Sequence, residues 1–237
     1  MDRAAAVAND TRRDLSIEFK NDGSIVTNVD RAVETFLRKE LEHGWPGTSF
    51  WGEEFGKDSI SDKGYWLIDP IDGTSNFAFG SPLWGISVGF AMDGELSFGA
   101  VWLSDLDEKY LAETGKGAFL NRSPLDPIPP GAIEPFHLIS RDTLEQYAGQ
   151  SIPGKMRYSG AFVVDGTFTA TQRYRGMIGK GEYLYDAAAC VVLNRELGAD
   201  IRWANGEALD YPELIGGRRF DRAWVICPKD SEFFLED

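Results

Sequence analysis

The stretch Trp66-Leu67-Ile68-Asp69-Pro70-Ile71-Asp72-Gly73-Thr74-Ser75-Asn76-Phe77 constrains this chain more than any other, because it runs an apolar strand into two carboxylates and a backbone turn. Residues 65–68 read as a buried strand with Asp69 at its C-terminal edge. Pro70 has no N–H to give to a ladder, so the pairing is expected to stop there. Asp72 follows with its side chain free to turn back toward Asp69. Gly73 and Thr74 come where a helical turn would begin, so their N–H groups lack intrahelical acceptors and suit an anion such as phosphate. Taken alone, Asp-Gly is an ordinary turn signal and Asp before Thr an ordinary cap. The functional reading therefore depends on acids elsewhere in the chain.

Upstream, Ser49-Phe50-Trp51-Gly52 is a strand-like approach that ends in Glu53-Glu54. Paired glutamates usually sit in a solvated loop. Here the aromatic pair before them predicts burial, and a buried carboxylate needs a cation. Magnesium fits, being a hard ion that takes carboxylate, carbonyl and water oxygens and is commonly shared with substrate phosphate. Downstream, Tyr185-Asp186-Ala187-Ala188-Ala189 opens a helix with an acid in its first turn. Such an acid is by default a cap. The small residues behind it let the helix lie close on a sheet, which would set Asp186 deep in a cleft.

These segments, with Lys20-Asn21-Asp22-Gly23-Ser24-Ile25-Val26-Thr27-Asn28-Val29-Asp30, resemble in order and spacing the signatures of inositol monophosphatase-like, lithium-sensitive metal phosphatases. The similarity is dense over 20–120 and thin over 121–184, where it rests on Ser159-Gly160-Ala161. The resemblance implies an α/β fold, mixed α+β and α/β, layered as an αβαβα sandwich of the inositol monophosphatase and fructose-1,6-bisphosphatase type. It implies two or three Mg2+ ions. Glu53, Asp69 and the carbonyl of Ile71 would hold the first, and Asp69, Asp72 and Asp186 the second. It also implies that Asp30 and Thr74 form a hydrogen-bonded pair that polarises a water held by the metal, with Glu53 completing the catalytic set. Gly73 and Thr74 would donate N–H groups to phosphate, with Lys20, Asp72 and Ser159 also on the substrate side. Two cations would stabilise the equatorial oxygens, activate water and neutralise the leaving alkoxide, so no His or Cys is required. A homodimer is carried over as an expectation.

Departures from the family pattern bear on the substrate. Inositol phosphatases typically place a Glu about seven positions before the second-motif Asp, and this chain has Gly179 there. Glu182 or Lys180 could stand in for it. Tyr185 replaces the usual Trp, and Phe79 stands where a polar residue is common. The segments Gly52-Glu53-Glu54-Phe55-Gly56 and Ser81-Pro82-Leu83-Trp84-Gly85 also resemble histidinol-phosphate phosphatases. The expected function is magnesium-dependent hydrolysis of a small phosphate monoester, an inositol phosphate or related sugar or polyol phosphate. The alternatives are a histidinol-phosphate or 3'-nucleotide bisphosphate phosphatase, or a member that binds metal and phosphoester without hydrolysis. A loop-type calcium module is disfavoured, since its acids would cluster within a dozen residues.

At 237 residues the chain can bury a generous core without disulfides. A net charge of -14 disfavours nucleic acid and anionic membranes as partners. It also means that an anionic substrate needs local neutralisation, which metal ions would provide. No long apolar run opens the chain, so neither a leader nor a membrane span is expected. Cys190 and Cys227, in apolar surroundings, read as reduced core residues of a cytoplasmic protein. His43 and His137 read as ordinary helix-end or surface residues.

The periodicity predicts helices over 4–15 and 29–42, with a turn at Asp22-Gly23 between them. A strand meander over 85–92, 96–103, 109–113 and 117–120 should follow. The proline-rich segment 121–135 is the expected boundary between an N-terminal α+β half (1–130), which carries the metal loop, and a C-terminal α/β half (131–237), which contributes Asp186. In the second half, strands are expected over 137–140, 156–158, 200–203 and 223–227, and helices over 143–147, 161–170 and 182–195.

Overall fold

Two N-terminal helices set the outer layer. In the computed structural model, which describes residues 1–21, 23–59, 61–141 and 152–231, α1 (Asp2–Thr11) turns Ala4, Ala5 and Ala8 inward toward α2 (Asn28–Gly44). Between them β1 (Ile17–Phe19) and β2 (Ile25–Thr27) pair as a hairpin, longer than the turn over 20–27 that the Asp22-Gly23 signal suggested. Thr27 caps α2, its Oγ1 accepting from the N–H groups of Val29 and Asp30, while Asp30 accepts from Thr27 N at 2.9 Å. This capping box fixes where α2 starts and therefore where Asp30 stands.

The first sheet uses β3 (Ser49–Gly52), β4 (Gly56–Lys57), β5 (Tyr65–Asp72), β6 (Gly85–Met92), β7 (Glu95–Leu103), β8 (Glu108–Glu113), β9 (Gly117–Leu120) and β10 (Ser123–Pro124). Its strand order is β10-β9-β8-β7-β6-β5-β3-β4. A short helix, α3 (Thr74–Phe79), leaves the end of β5. β5 is buried on both faces, which explains its continuous apolar run: Trp66 and Ile68 pack toward α1 and α2, Tyr65 and Leu67 toward the interior.

Beyond it come β11 (Leu138–Arg141), β12 (Lys155–Arg157), α4 (Phe162–Ala170), β13 (Gly176–Gly179), α5 (Leu184–Glu196), β14 (Asp200–Trp203), α6 (Tyr211–Gly216) and β15 (Trp224–Cys227). The second sheet runs β12-β11-β13-β15-β14. The helices α4 and α5 lie between the two sheets, and one apolar cluster joins Leu67 and Val101 to Val191, Trp224 and Ile226. The outer face of the second sheet carries Ile139, Ile178, Val225 and Cys227. The helix expected over 143–147 lies outside the described residues.

Two features hold α5 close. A Cβ placed on Gly89 of β6 would lie 2.6 Å from Ala188 Cβ, and one on Gly99 of β7 would lie 2.6 Å from the carbonyl oxygen of Ala189. Glycine on the sheet and alanine on the helix together let the two backbones approach.

Pro70 does not end its strand. β5 continues to Asp72, and its register against β6 shifts between Asp69↔Ser87 and Asp72↔Gly85. Three steps on one strand thus oppose two on the other, which is a bulge around Pro70 and Ile71. On a regular strand, residues 69 and 72 would point to opposite faces. The extra residue turns both acids toward one side.

Candidate active site

Asp69 leaves the bulge with its carboxylate buried, 2% exposed, and Oδ1 accepting from Ile71 N at 3.1 Å. Gly73 then adopts φ +83°, a left-handed conformation that only glycine takes readily, and it lies so close to Ala161 and the Leu83 carbonyl that a Cβ would not fit. α3 begins at Thr74. Asn76 anchors this turn by donating to the carbonyls of Leu83 (2.6 Å) and Ser159 (2.8 Å). Thr74 Oγ1 stands 3.1 Å from Asp30 Oδ1 and 3.0 Å from the Ile71 carbonyl. The start of α2 and the start of α3 thus meet at one hydroxyl.

Asp186 lies in the first turn of α5, its Oδ2 accepting from Tyr183 N at 2.7 Å. Asp72 Oδ2 accepts from Val163 N at the start of α4. Glu53 follows β3, its N–H bonded to the Ile68 carbonyl at 3.1 Å. Lys20, presented by the β1–β2 hairpin, places its ammonium 2.9 Å from Glu53 Oε1 and 2.8 Å from Glu54 Oε1.

These acids act on one another electrostatically. Burial, then Glu53, Asp72, Asp186 and Asp30, push Asp69 well above the usual carboxylate range. Burial and Glu53 do the same to Asp186, with Asp72 adding to it and the Tyr183 N–H opposing. Burial also raises Asp30 and Glu54. Burial opposes the charge on Lys20, yet Glu54 and Glu53 hold its ammonium well above the ordinary value.

As the side chains stand, however, no three of these acids among the described residues close on one ion-sized point. The strand and helix ends converge while the carboxylate tips diverge. Each acid takes the nearest donor: Lys20 for Glu53, Val163 N for Asp72, Tyr183 N for Asp186 and Ile71 N for Asp69. Like charges in one pocket repel, and local donors are the alternative to a shared cation. The donor set is all oxygen, and it already draws in an ammonium. That chemistry fits a hard divalent ion. Surface hollows on the outer sheet face, such as the 460 Å³ groove lined by Trp45, Trp66 and Phe98, contain none of these acids.

Ser159 is placed differently. Its hydroxyl donates to the Ala161 carbonyl at 2.9 Å and accepts from Ala161 N at 3.1 Å, closing the turn into α4. At the expected specificity position, a Cβ on Gly179 would fall 2.4 Å from Trp224 Nε1 and 2.9 Å from Glu182 Oε1. Trp224 stacks on Phe162 and Phe220, and its Nε1 donates to Glu182 at 2.8 Å. The space open to a side chain at 179 is therefore taken by an indole edge and the carboxylate beside it. Sequence reasoning missed Glu34, and it read Glu54 and Asn76 only as members of the motifs that carry Glu53 and Asp69. Glu34 gave one signal, an acid on the buried stripe of α2 beside Val33 and Leu37.

Comparison with known proteins finds relatives among phosphatases. The inositol-1-monophosphatase ImpA of Mycolicibacterium smegmatis is 34% identical over 193 residues, 76% of this chain and 70% of that protein. A histidinol-phosphatase of Chlorobaculum parvum is 38% identical over 114 residues, 48% of this chain and 44% of that protein. The chain thus spans less than half the length of that relative. A solved IMPase/NADP phosphatase complexed with Mg2+ and phosphate superposes with TM-score 0.80 at 21% identity, over 97% of this chain and 88% of that one. The family model of the inositol monophosphatase family matches residues 2–218, a span that includes every acid described above, and the chain belongs to that family.

Proposed function

We propose that the protein hydrolyses a small phosphate monoester with Mg2+. The observation that carries this reading is the buried carboxylate of Asp69, set by the β5 bulge, next to the Thr74–Asp30 pair at the Gly73 turn. Glu53, Asp69 and the Ile71 carbonyl would hold one ion, and Asp69, Asp72 and Asp186 another. Bound there, magnesium supplies Lewis acidity toward the phosphate oxygens and makes water more acidic.

The chain's own groups do the rest. The N–H groups of Gly73 and Thr74 bind phosphate oxygens at the head of α3. Thr74 donates its hydroxyl proton to Asp30, which leaves the Oγ1 lone pairs to accept a proton from the attacking water. Water oxygen bonds to phosphorus as its proton passes to Thr74 and Asp30, the ester P–O bond breaks, and the alkoxide takes a proton from solvent water and leaves as an alcohol, Asp30 returning its proton to solvent. The site closes on the alcohol side with Tyr183, Tyr185 and Trp51, which lie ring to ring.

Inositol or another polyol phosphate is the favoured substrate, from the similarity to an inositol-1-monophosphatase over 76% of this chain. Histidinol phosphate is the second reading, favoured by Gly179, where no side chain reaches out to grip a ring hydroxyl. A cytoplasmic homodimer belongs to the same proposal; sedimentation velocity reads its oligomeric state. No helix among the described residues is long and apolar enough to cross a membrane.

A panel of inositol, sugar, histidinol and nucleotide monophosphates, assayed for released phosphate with Mg2+ and with or without Li+, tests the reading. Turnover that requires Mg2+, is inhibited by Li+ and falls at least about 10³-fold in Asp69→Asn is expected. Binding of Mg2+ without turnover of any ester would leave only the non-catalytic alternative.

A further inference from the structure

Behind the Glu53–Glu54 turn stands a carboxylate that none of these roles uses. Glu34 lies one helical turn past Asp30 on α2 and is fully buried, 0% exposed. Its Oε1 accepts from Arg38 Nε at 2.8 Å, and its Oε2 accepts from the backbone N–H of Glu54 at 2.9 Å. Arg38 is itself pinned, with Nη2 donating to the Gly56 carbonyl at 2.8 Å, Nη1 reaching Asp58 at 3.3 Å, and its guanidinium over the rings of Phe50 and Phe55. All of these contacts fall on β3, β4 and the residues that join or directly follow them, Phe50 to Asp58. Lys20 holds the other side of the same turn through Glu53 and Glu54.

The strand makes room for this carboxylate. A Cβ on Gly52 would lie 1.9 Å from Glu34 Oε1, so residue 52 must be glycine for Glu34 to reach the turn. Its neighbours Val33 and Leu37 are apolar, and a hydrophobic residue at 34 would cover α2 without the cost of desolvating a charge. A buried ion pair is weak as a source of stability and strong as a device that fixes geometry. What it fixes here is the peptide between Glu53 and Glu54, and hence the direction in which the Glu53 side chain leaves the backbone.

We propose that Glu34 is a positioning residue: held by Arg38, it fixes the Glu54 N–H and so aims the Glu53 carboxylate at the divalent cation. This rests on the magnesium reading above. Partners that orient a ligand in this way typically change metal affinity about 10- to 100-fold when removed.

The test is titration calorimetry of Mg2+ into metal-free wild type, Glu34→Gln, Glu34→Ala, Gly52→Ala, Arg38→Lys and the double variant Glu34→Ala/Gly52→Ala, with phosphatase kinetics at rising Mg2+. Gln offers one acceptor where two are used, and Ala at 52 displaces the carboxylate. Both should weaken Mg2+ binding about 10- to 100-fold and raise the Mg2+ concentration for half-maximal activity, with kcat at saturating Mg2+ within about threefold of wild type. Gly52→Ala should cost nothing further once Glu34 is Ala, since the methyl then has room. Arg38→Lys keeps the charge but loses the fork, and should fall between. Variants that stay folded, melt lower and bind Mg2+ within about twofold of wild type would overturn the proposal. Should Glu34→Gln and Gly52→Ala fail to fold, Arg38→Lys and the double variant decide by the same affinity readout. Wild type that binds no Mg2+ would instead reject the magnesium reading itself.

Discussion

Thr74 is the residue at which two helix starts are tied together, and its hydroxyl has a single proton to place. With Asp30 Oδ1 at 3.1 Å and the Ile71 carbonyl at 3.0 Å, it can donate to only one of them at a time. Asp30 is buried, is raised by that burial and already accepts from Thr27, so a donor lost there is not replaced by water. Valine keeps the shape of Thr74 and removes the proton. Thr74→Val should lower kcat by about 10²- to 10⁴-fold while Mg2+ affinity by calorimetry changes little, and Thr74→Ser should recover most of the rate. A Val variant with wild-type kcat would reduce Thr74 to a helix-start residue. Asp69, Asp72 and Thr74 could be grouped from the sequence because they are contiguous. Glu53 and Asp186 stood out as acids in buried surroundings, but their grouping with Asp69, and Asp30 altogether, came through the family resemblance, since nothing local links segments so far apart. Glu34 was out of reach for a different reason: its role is defined by an N–H twenty residues away across β3.

What puts Asp186 in the pocket is the closeness of α5 to the sheet, and the glycines beneath it are open to test. A Cβ on Gly99 would meet the Ala189 carbonyl oxygen at 2.6 Å and its Cα at 2.7 Å, both backbone atoms that cannot swing aside. Gly99→Ala should therefore push α5 off β7, destabilise the protein by about 1–3 kcal/mol and weaken Mg2+ binding, although the substitution lies far from any carboxylate. Denaturant melts with parallel calorimetry check it. Unchanged affinity beside a clear loss of stability would mean that α5 shifts without carrying Asp186. The sequence showed the small residues of α5 and the meander strands, because both are written as local patterns. Pro70 misled, since a bulge lets a proline sit inside a paired strand, and only the register against β6 reveals the extra residue. β13 went unseen because Gly176-Met177-Ile178-Gly179 is short and glycine-bounded, although it forms the middle of the second sheet. α6 was legible and overlooked: Asp210 caps it and Pro212 stands in its first turn.

A chain of net charge -14 that buries several acids in one pocket ties its stability to pH and to divalent ions. Asp69 and Asp186 have folded pKa values above their unfolded ones. The folded state therefore holds these protons more tightly, and the stability this brings is complete below the unfolded value of about 4 and lost as pH rises through the raised folded values. Glu108 has the opposite sign. Burial opposes its ionisation, but Arg173 and Tyr110 hold it below the ordinary value, so its contribution is present above about pH 4.5 and lost on acidification. Between about pH 5 and 8 Glu108 is already ionised in both states, and the pocket acids decide the slope. In EDTA the melting temperature should fall across that range. Mg2+, which binds only the ionised carboxylates, should raise it by an amount that grows with pH. For a chain of this length each kcal/mol corresponds to about 2–4 °C, so the gap between the EDTA and Mg2+ curves should be easily read by scanning fluorimetry. Asp69→Asn should flatten the EDTA curve by removing one of the titrating groups. An EDTA melting temperature that climbs steadily from about pH 5 to 8 in the wild type would mean that these acids are ionised at no cost in the folded protein, and that the pocket needs no cation to hold its charges together.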